Sequence, residues 1–172
     1  MTSSQNSQDP ASIVVLTTGG TIDKTYFDAL SKYQVGESVV QKLLEIGRVT
    51  HPFRIIEAMR KDSLDLTPED RESLRAKVAE LPNTRVVITH GTDTMTETAR
   101  VMAGIRDKTI VFTGSLSPAR FSESDATFNL GMAFATVQVA APGVYIAMSG
   151  QVFRADKVRK DHTAGRFVPL DA

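Results

Sequence analysis

Hydrophobic positions along this chain fall into two kinds of segment. Five short runs, Ile13–Leu16, Phe53–Ile56, Val86–Ile88, Thr109–Phe112 and Gly143–Met148, are apolar almost throughout and rich in β-branched residues. A strand with one wet face alternates, whereas an unbroken apolar run marks a strand covered on both faces, the habit of parallel sheets. Between these runs lie longer segments with helical patterning, near residues 37–47, 68–81, 94–106 and 125–140. Thr67-Pro68-Glu69-Asp70 opens the second with a capping hydroxyl and a proline at the first helical position, and Thr94-x-x-Glu97 opens the third with a capping-box pattern. The alternation predicts an α/β fold: an open, mostly parallel, doubly wound sheet of the flavodoxin or Rossmann kind, in the common strand order 2-1-3-4-5.

Composition narrows what such a sheet does. A chain of 172 residues is one domain by default and buries roughly 70% of its unfolded surface. Residues 1–12, MTSSQNSQDPAS, read as a disordered tail ahead of a single domain over 13–172. They lack the basic and apolar regions of a signal peptide, which points to a cytoplasmic protein. Twenty basic and 20 acidic side chains cancel, leaving no basic footprint for nucleic acid. No run reaches the ~20 apolar residues of a spanning helix, so no membrane partner is expected. The absence of cysteine removes thiolate chemistry, and three scattered histidines (His51, His90, His162) make a metal site unexpected.

Ligands of open α/β sheets bind beyond the carboxyl ends of the strands. After the five runs come Thr17-Thr18-Gly19-Gly20-Thr21, Asp62-Ser63, His90-Gly91-Thr92-Asp93-Thr94, Thr113-Gly114-Ser115 and Ser149-Gly150. One edge of the sheet thus collects hydroxyls, carboxylates and glycines. Phosphate binding is one use of such an edge, but neither G-x-x-x-x-G-K-S/T nor G-x-G-x-x-G occurs. Attack by a hydroxyl is another, with a threonine activated by lysine or tyrosine, since a Ser-His-Asp set is hard to build around a histidine inside a strand end. Plain helix capping is the third.

The pair Thr18-Gly19-Gly20-Thr21-Ile22 and Thr89-His90-Gly91-Thr92-Asp93-Thr94 resembles the double signature of bacterial L-asparaginases. Tyr33-x-Val-Gly36, Asp62-Ser63 before Thr67-Pro68-Glu69-Asp70, Phe128-Asn129-Leu130 and Lys160 extend the resemblance over residues 13–168. It implies hydrolysis of a side-chain amide in two steps, with Thr21 as nucleophile and a tyrosine beside it. Tyr33 fits the family pattern, while Tyr26 lies closer in sequence, and both stay open. Thr92, Asp93 and Lys160 match a second catalytic cluster, and Asp62 and Ser63 match positions that hold the substrate's α-amino and α-carboxylate groups. Gly20, Gly91 and Ser115 complete the expected binding edge. The resemblance implies no cofactor and no metal. It implies L-asparagine as substrate, with L-glutamine the alternative; the apolar run Val139–Ala141 beside Pro142 leaves surface to cover, so a homo-oligomer, dimer or tetramer, is expected. Family members usually carry a second α/β domain after this one. A glutaminase or amidase subunit and a catalytically silent amino-acid-binding domain are the competing functions. The segment from Gly20 to Gly36 is expected to be a loop able to act as a lid, and Lys160, outside the resemblance, reads as a solvated residue in a mixed-charge stretch.

Overall fold

The computed structural model describes residues 10–27 and 32–170. The five apolar runs are strands: β1 (Ile13–Gly19), β4 (Phe53–Lys61), β5 (Arg85–Thr89), β6 (Thr109–Thr113) and β7 (Gly143–Met148). They pair in parallel in the order β4-β1-β5-β6-β7, which is the expected 2-1-3-4-5. β1 and β6 are buried at every position, because helices cover both sides. On one face Leu16, Ile88, Ile110, Phe112 and Ile146 pack beneath α2 (Pro68–Glu80) and α3 (Met95–Val101). On the other Val15, Val87 and Val111 pack beneath α1 (Val40–Ile46) and α4 (Ala126–Val139). Helices on both faces make the sheet doubly wound, as predicted. No helix among the described residues is long and apolar enough to cross a membrane.

Phe112 stands at the centre of the first face, fully buried, its ring centroid 5.9 Å from that of His90 in an edge-on arrangement. Phe112→Ala is expected to remove about 3–5 kcal/mol through lost burial and the cavity left behind. Chemical denaturation checks this as a lower midpoint with an unchanged slope.

Local start signals behave unequally. Thr67 forms a full capping box, its hydroxyl accepting from Asp70 N (3.2 Å) and Asp70 Oδ2 accepting from Thr67 N (2.9 Å). The Thr94 pattern does not form one. The Thr94 hydroxyl donates instead to the Ser63 carbonyl at 2.8 Å, and Glu97 turns to Arg71. A cross-loop acceptor here outcompetes the local amide. The helix expected to end near 106 ends at Val101 and continues as a tighter turn over Met102–Gly104.

Three hairpins lie outside the expectation. The supposed lid loop is an antiparallel pair, β2 (Lys24–Phe27) with β3 (Lys32–Val35). Ser149 and Gly150 both take positive φ (53° and 80°), the backbone of a two-residue hairpin turn. They therefore send the chain back as β8 (Gln151–Arg154), antiparallel to β7 at the sheet edge. The mixed-charge stretch is a third pair, β9 (Val158–Asp161) with β10 (Arg166–Pro169), anchored by the buried side chains of Val158 and Phe167. Of the tail expected over 1–12, residues 1–9 lie outside the described residues. Ser12 is buried, and its carbonyl and hydroxyl accept from Asn83 Nδ2 at 3.0 and 3.1 Å.

Candidate functional site at the carboxyl edge of the sheet

Parallel pairing brings the ends of β1, β4 and β5 together, and glycine lets their loops touch. Gly20 has φ of 85°, and a Cβ there would stand 2.4 Å from Gly91 N. A Cβ at Gly91 would in turn stand 2.5 Å from Ser63 Oγ. Neither place has room for a side chain, so the turn before Thr21 meets the turn before Thr92 backbone to backbone, and Gly91 packs against the Ser63 side chain. Gly20 N donates to the Lys61 carbonyl at 3.0 Å, tying the β1 and β4 ends directly. Thr21 follows as the first residue of a short 3-10 turn, Thr21–Asp23, partly exposed. Ser63 is buried, and Thr18 Oγ1 donates to the Thr89 carbonyl at 2.8 Å.

The second cluster assembles across the chain. Lys160 Nζ donates to Thr92 Oγ1 at 2.8 Å and to Asp93 Oδ1 at 2.5 Å. The Lys160 side chain is only 9% exposed, against 40% for Asp93. Lys160 therefore stands as a held amine beside a hydroxyl, where composition alone reads a solvated lysine. Its position comes from strand register, since it pairs with Phe167, whose ring is buried in the core. His162 Nδ1 lies 3.9 Å from Asp93 Oδ1 on the solvent side, a neighbour that no local motif announces.

Asp62 and Ser63 are brought to the site differently from one another. Ser63 faces Gly91, whereas the Asp62 carboxylate is engaged elsewhere. Its Oδ1 caps Leu64 N at 3.1 Å and its Oδ2 pairs with Lys24 Nζ at 2.7 Å. Partial burial pushes the Asp62 carboxyl up, but the Lys24 ammonium and the Leu64 and Ser63 amides outweigh it and hold it below the usual carboxylate range. Ser115 is buried and donates to the Ser117 carbonyl at 2.6 Å, a contact within its own turn.

Tyr26 and Tyr33 are directly opposite one another in the β2–β3 hairpin, with ring centroids 5.6 Å apart and both about half exposed. The structure thus carries the two tyrosines on one hairpin face, and Tyr33 also packs edge-on to Phe121 at 6.1 Å. Asp23, which sequence reading passed over, ties down the base of this hairpin. Its buried carboxylate accepts from Val39 N at 2.9 Å and its carbonyl from Gly36 N at 2.9 Å. Burial raises its pKa, opposed by the Val39 amide and the Ser38 hydroxyl. Asn129 performs a similar task behind the site. It donates to the Gly114 carbonyl (3.0 Å) and accepts from Ser149 N (3.0 Å), joining the loops after β6 and β7.

His90 is closed off. It is fully buried with Nδ1 2.7 Å from the Gly91 carbonyl, so Nδ1 carries the proton, and Nε2 is buried without a hydrogen-bond partner. Desolvation pushes its pKa down to about 4. In the unfolded chain the ring takes a proton near the ordinary 6.5, and in the folded chain it waits until about 4. The unfolded state therefore binds the extra proton in that window, and stability falls as pH drops through it while remaining complete above it. The expected loss is up to about 3 kcal/mol, read from denaturation midpoints between pH 7 and pH 4, and His90→Asn is expected to flatten the slope.

Among the described residues no group of three or more His, Asp or Glu side chains is placed to hold a metal ion. An open, mostly parallel sheet with threonines on glycine turns and a lysine seated between hydroxyl and carboxylate defines an α/β protein with hydroxyl and amine groups gathered at its strand ends. The family model described as Asparaginase, N-terminal matches residues 12–167, and the chain belongs to that family. Among its relatives is the L-asparaginase of Thermococcus kodakarensis, 31% identical over 159 residues, covering 89% of this chain and 48% of the relative. The glutaminase-asparaginase of Pseudomonas fluorescens is 30% identical over 165 residues, covering 87% and 45%. The chain therefore spans about half the length of the curated relatives it matches. The solved structure of the thermostable Thermococcus kodakarensis L-asparaginase superposes with a TM-score of 0.82 at 28% identity, over 94% of this chain and 52% of the other.

Proposed function

We propose that this domain hydrolyses the side-chain amide of L-asparagine to L-aspartate and ammonia, with Thr21 as nucleophile. The observation that carries the reading is the Lys160–Thr92–Asp93 cluster standing one residue from the Gly20–Gly91 contact. Lone caps have no need of a buried lysine on a hydroxyl, and a silent binding domain has no use for a lysine–threonine pair. A nucleophilic alcohol needs both a proton acceptor and an oxyanion donor nearby.

In this reading Thr21 Oγ1 attacks the amide carbon and its proton passes into the polar cluster. The carbon–nitrogen bond then breaks and ammonia leaves with that proton. Water, deprotonated through Thr92 and Lys160, attacks the Thr21 ester, releasing the carboxylate and restoring the hydroxyl. Asp93 holds Lys160 in place, and the Thr92 backbone N–H is the oxyanion donor. Ser63 and Asp93 orient the α-carboxylate and α-amino groups. Asp62 joins them once the substrate's ammonium replaces Lys24. One of the two hairpin tyrosines, Tyr33 by pattern, assists Thr21.

Family relatives carry names that include both asparaginase and glutaminase-asparaginase, so the decisive test compares the two amides. Ammonia release is measured with L-asparagine and, separately, L-glutamine, and the expected result is turnover of asparagine with a higher kcat/KM. One methylene in a pocket is worth only about 1–3 kcal/mol, so a preference of roughly 10- to 200-fold is the expected range. No ammonia from either amide overturns the reading and leaves an amino-acid-binding domain.

A further inference from the structure

A cavity lies at the end of the sheet opposite the candidate site. Helix α3 runs back against the strand direction, so its last turn stands at the amino-terminal end of β7. There a cavity of about 340 Å³ opens between the end of α3, the segment at Ile105–Arg106, the start of β7 and the turn after β8. Its size falls in the range of metabolite pockets, roughly 300–1,000 Å³. Its inner wall is apolar, with Ile105 and Val144 buried.

Three arginines, Arg100, Arg106 and Arg154, line the cavity against a single acidic residue, Asp156. The whole chain has a formal net charge of zero, so this excess is local. Each arginine is oriented differently. Arg154 lies over the Tyr145 ring at 5.7 Å and uses Nε toward Asp156 at 3.4 Å, which leaves both terminal amino groups free to donate. Arg100 uses one amino group on the Val158 carbonyl at 3.2 Å. Arg106 has no hydrogen bond or ion pair among the described residues, and its neighbour Asp107 faces Lys108 instead. A guanidinium presents five donors in a planar fork that matches carboxylate or phosphate oxygens in pairs. Three such forks around one cavity repel one another, and an anion between them removes that repulsion.

We propose that this cavity binds a small metabolite bearing two acidic oxyanion groups, held by Arg100, Arg106 and Arg154 with its carbon body on Ile105 and Val144. Dicarboxylates and phosphate-bearing molecules share this chemistry. The site is separate from the carboxyl edge and does not depend on the amidohydrolase reading.

The test is a titration of the ¹⁵N-labelled protein with succinate and, separately, inorganic phosphate, followed by NMR, with chloride at matched ionic strength as control. Saturable shifts are expected at the amides of Ala103, Ile105, Arg106 and Val144 with at least one of the two anions. The anion giving the tighter fit assigns the ligand's acidic group as carboxylate or phosphoryl. Arg106→Gln and Arg154→Gln, each removing one exposed charge, are expected to weaken that binding at least tenfold while leaving the rest of the spectrum in place. The proposal is overturned by an absence of saturable shifts with both anions, or by the same shifts with chloride. Shifts confined to Thr21, Gly91 and Thr92, or affinity unchanged in both variants, overturn it equally.

Discussion

Thr21→Ala is expected to abolish ammonia release from L-asparagine, lowering kcat on the order of 10⁴- to 10⁶-fold, the scale seen when an attacking side chain is removed from its supporting set. The effect should fall on kcat, because Thr21 is proposed to bond to the substrate carbon only as the reaction proceeds. Substrate contacts proposed for Ser63 and Asp93 are untouched, so asparagine should still bind, and calorimetry separates the two. Folding should survive, since Thr21 is partly exposed at the first position of a short turn and the Gly20–Gly91 contact lies ahead of it. Thr21→Ser keeps a hydroxyl and is expected to retain measurable turnover. Full activity in Thr21→Ala would remove this residue from the chemistry and transfer attention to Thr92.

Lys160→Met is expected to lower kcat by about 10²- to 10⁴-fold, the usual contribution of a positioned acid or base. Methionine keeps much of the length and apolar stem of lysine but cannot donate to Thr92 Oγ1 or Asp93 Oδ1. A merely structural lysine would shift stability and leave the pH profile of the residual rate alone. A lysine that moves a proton should take one limb of that profile with it. Asp93 is 40% exposed and has His162 at 3.9 Å, so the carboxylate left behind finds water, and the variant should fold. Thr92→Val tests the same relay from its other end.

The hairpin pinned by Asp23 and Lys24 bears on both experiments. Lys24 holds Asp62 at 2.7 Å across the gap between the hairpin and the floor of the site. Under the proposed function Asp62 would meet substrate only when this ion pair opens, which would link the position of Tyr26 and Tyr33 to occupancy of the site. The pair is partly exposed, so its strength is modest and falls as salt rises.

Much of the architecture was legible because burial on both faces leaves a local trace. An unbroken run such as Ile13–Leu16 needs cover above and below, and the five runs fell into the order that the parallel pairing shows. Thr67-Pro68 was equally legible, since the cap and its partner Asp70 are three residues apart. The Thr94 pattern failed because Ser63, distant in sequence, supplied a better acceptor. Ser149-Gly150 read as one more polar strand end, while its positive φ angles make it a hairpin turn.

By itself the sequence determined the kind of sheet, the edge that carries the polar residues and, through the two glycine-threonine signatures, the family resemblance. These follow from periodicity and from spacings of a few residues. The resemblance had grouped Lys160 with Thr92 and Asp93, but only the tertiary structure decided how the lysine is buried between them, that Asp62 is engaged by Lys24, and that His90 is sealed in the core. Each of these depends on which strand ends the crossovers bring side by side and on how closely glycine lets them approach. A partner 67 or 68 residues away leaves no mark on the pattern around it.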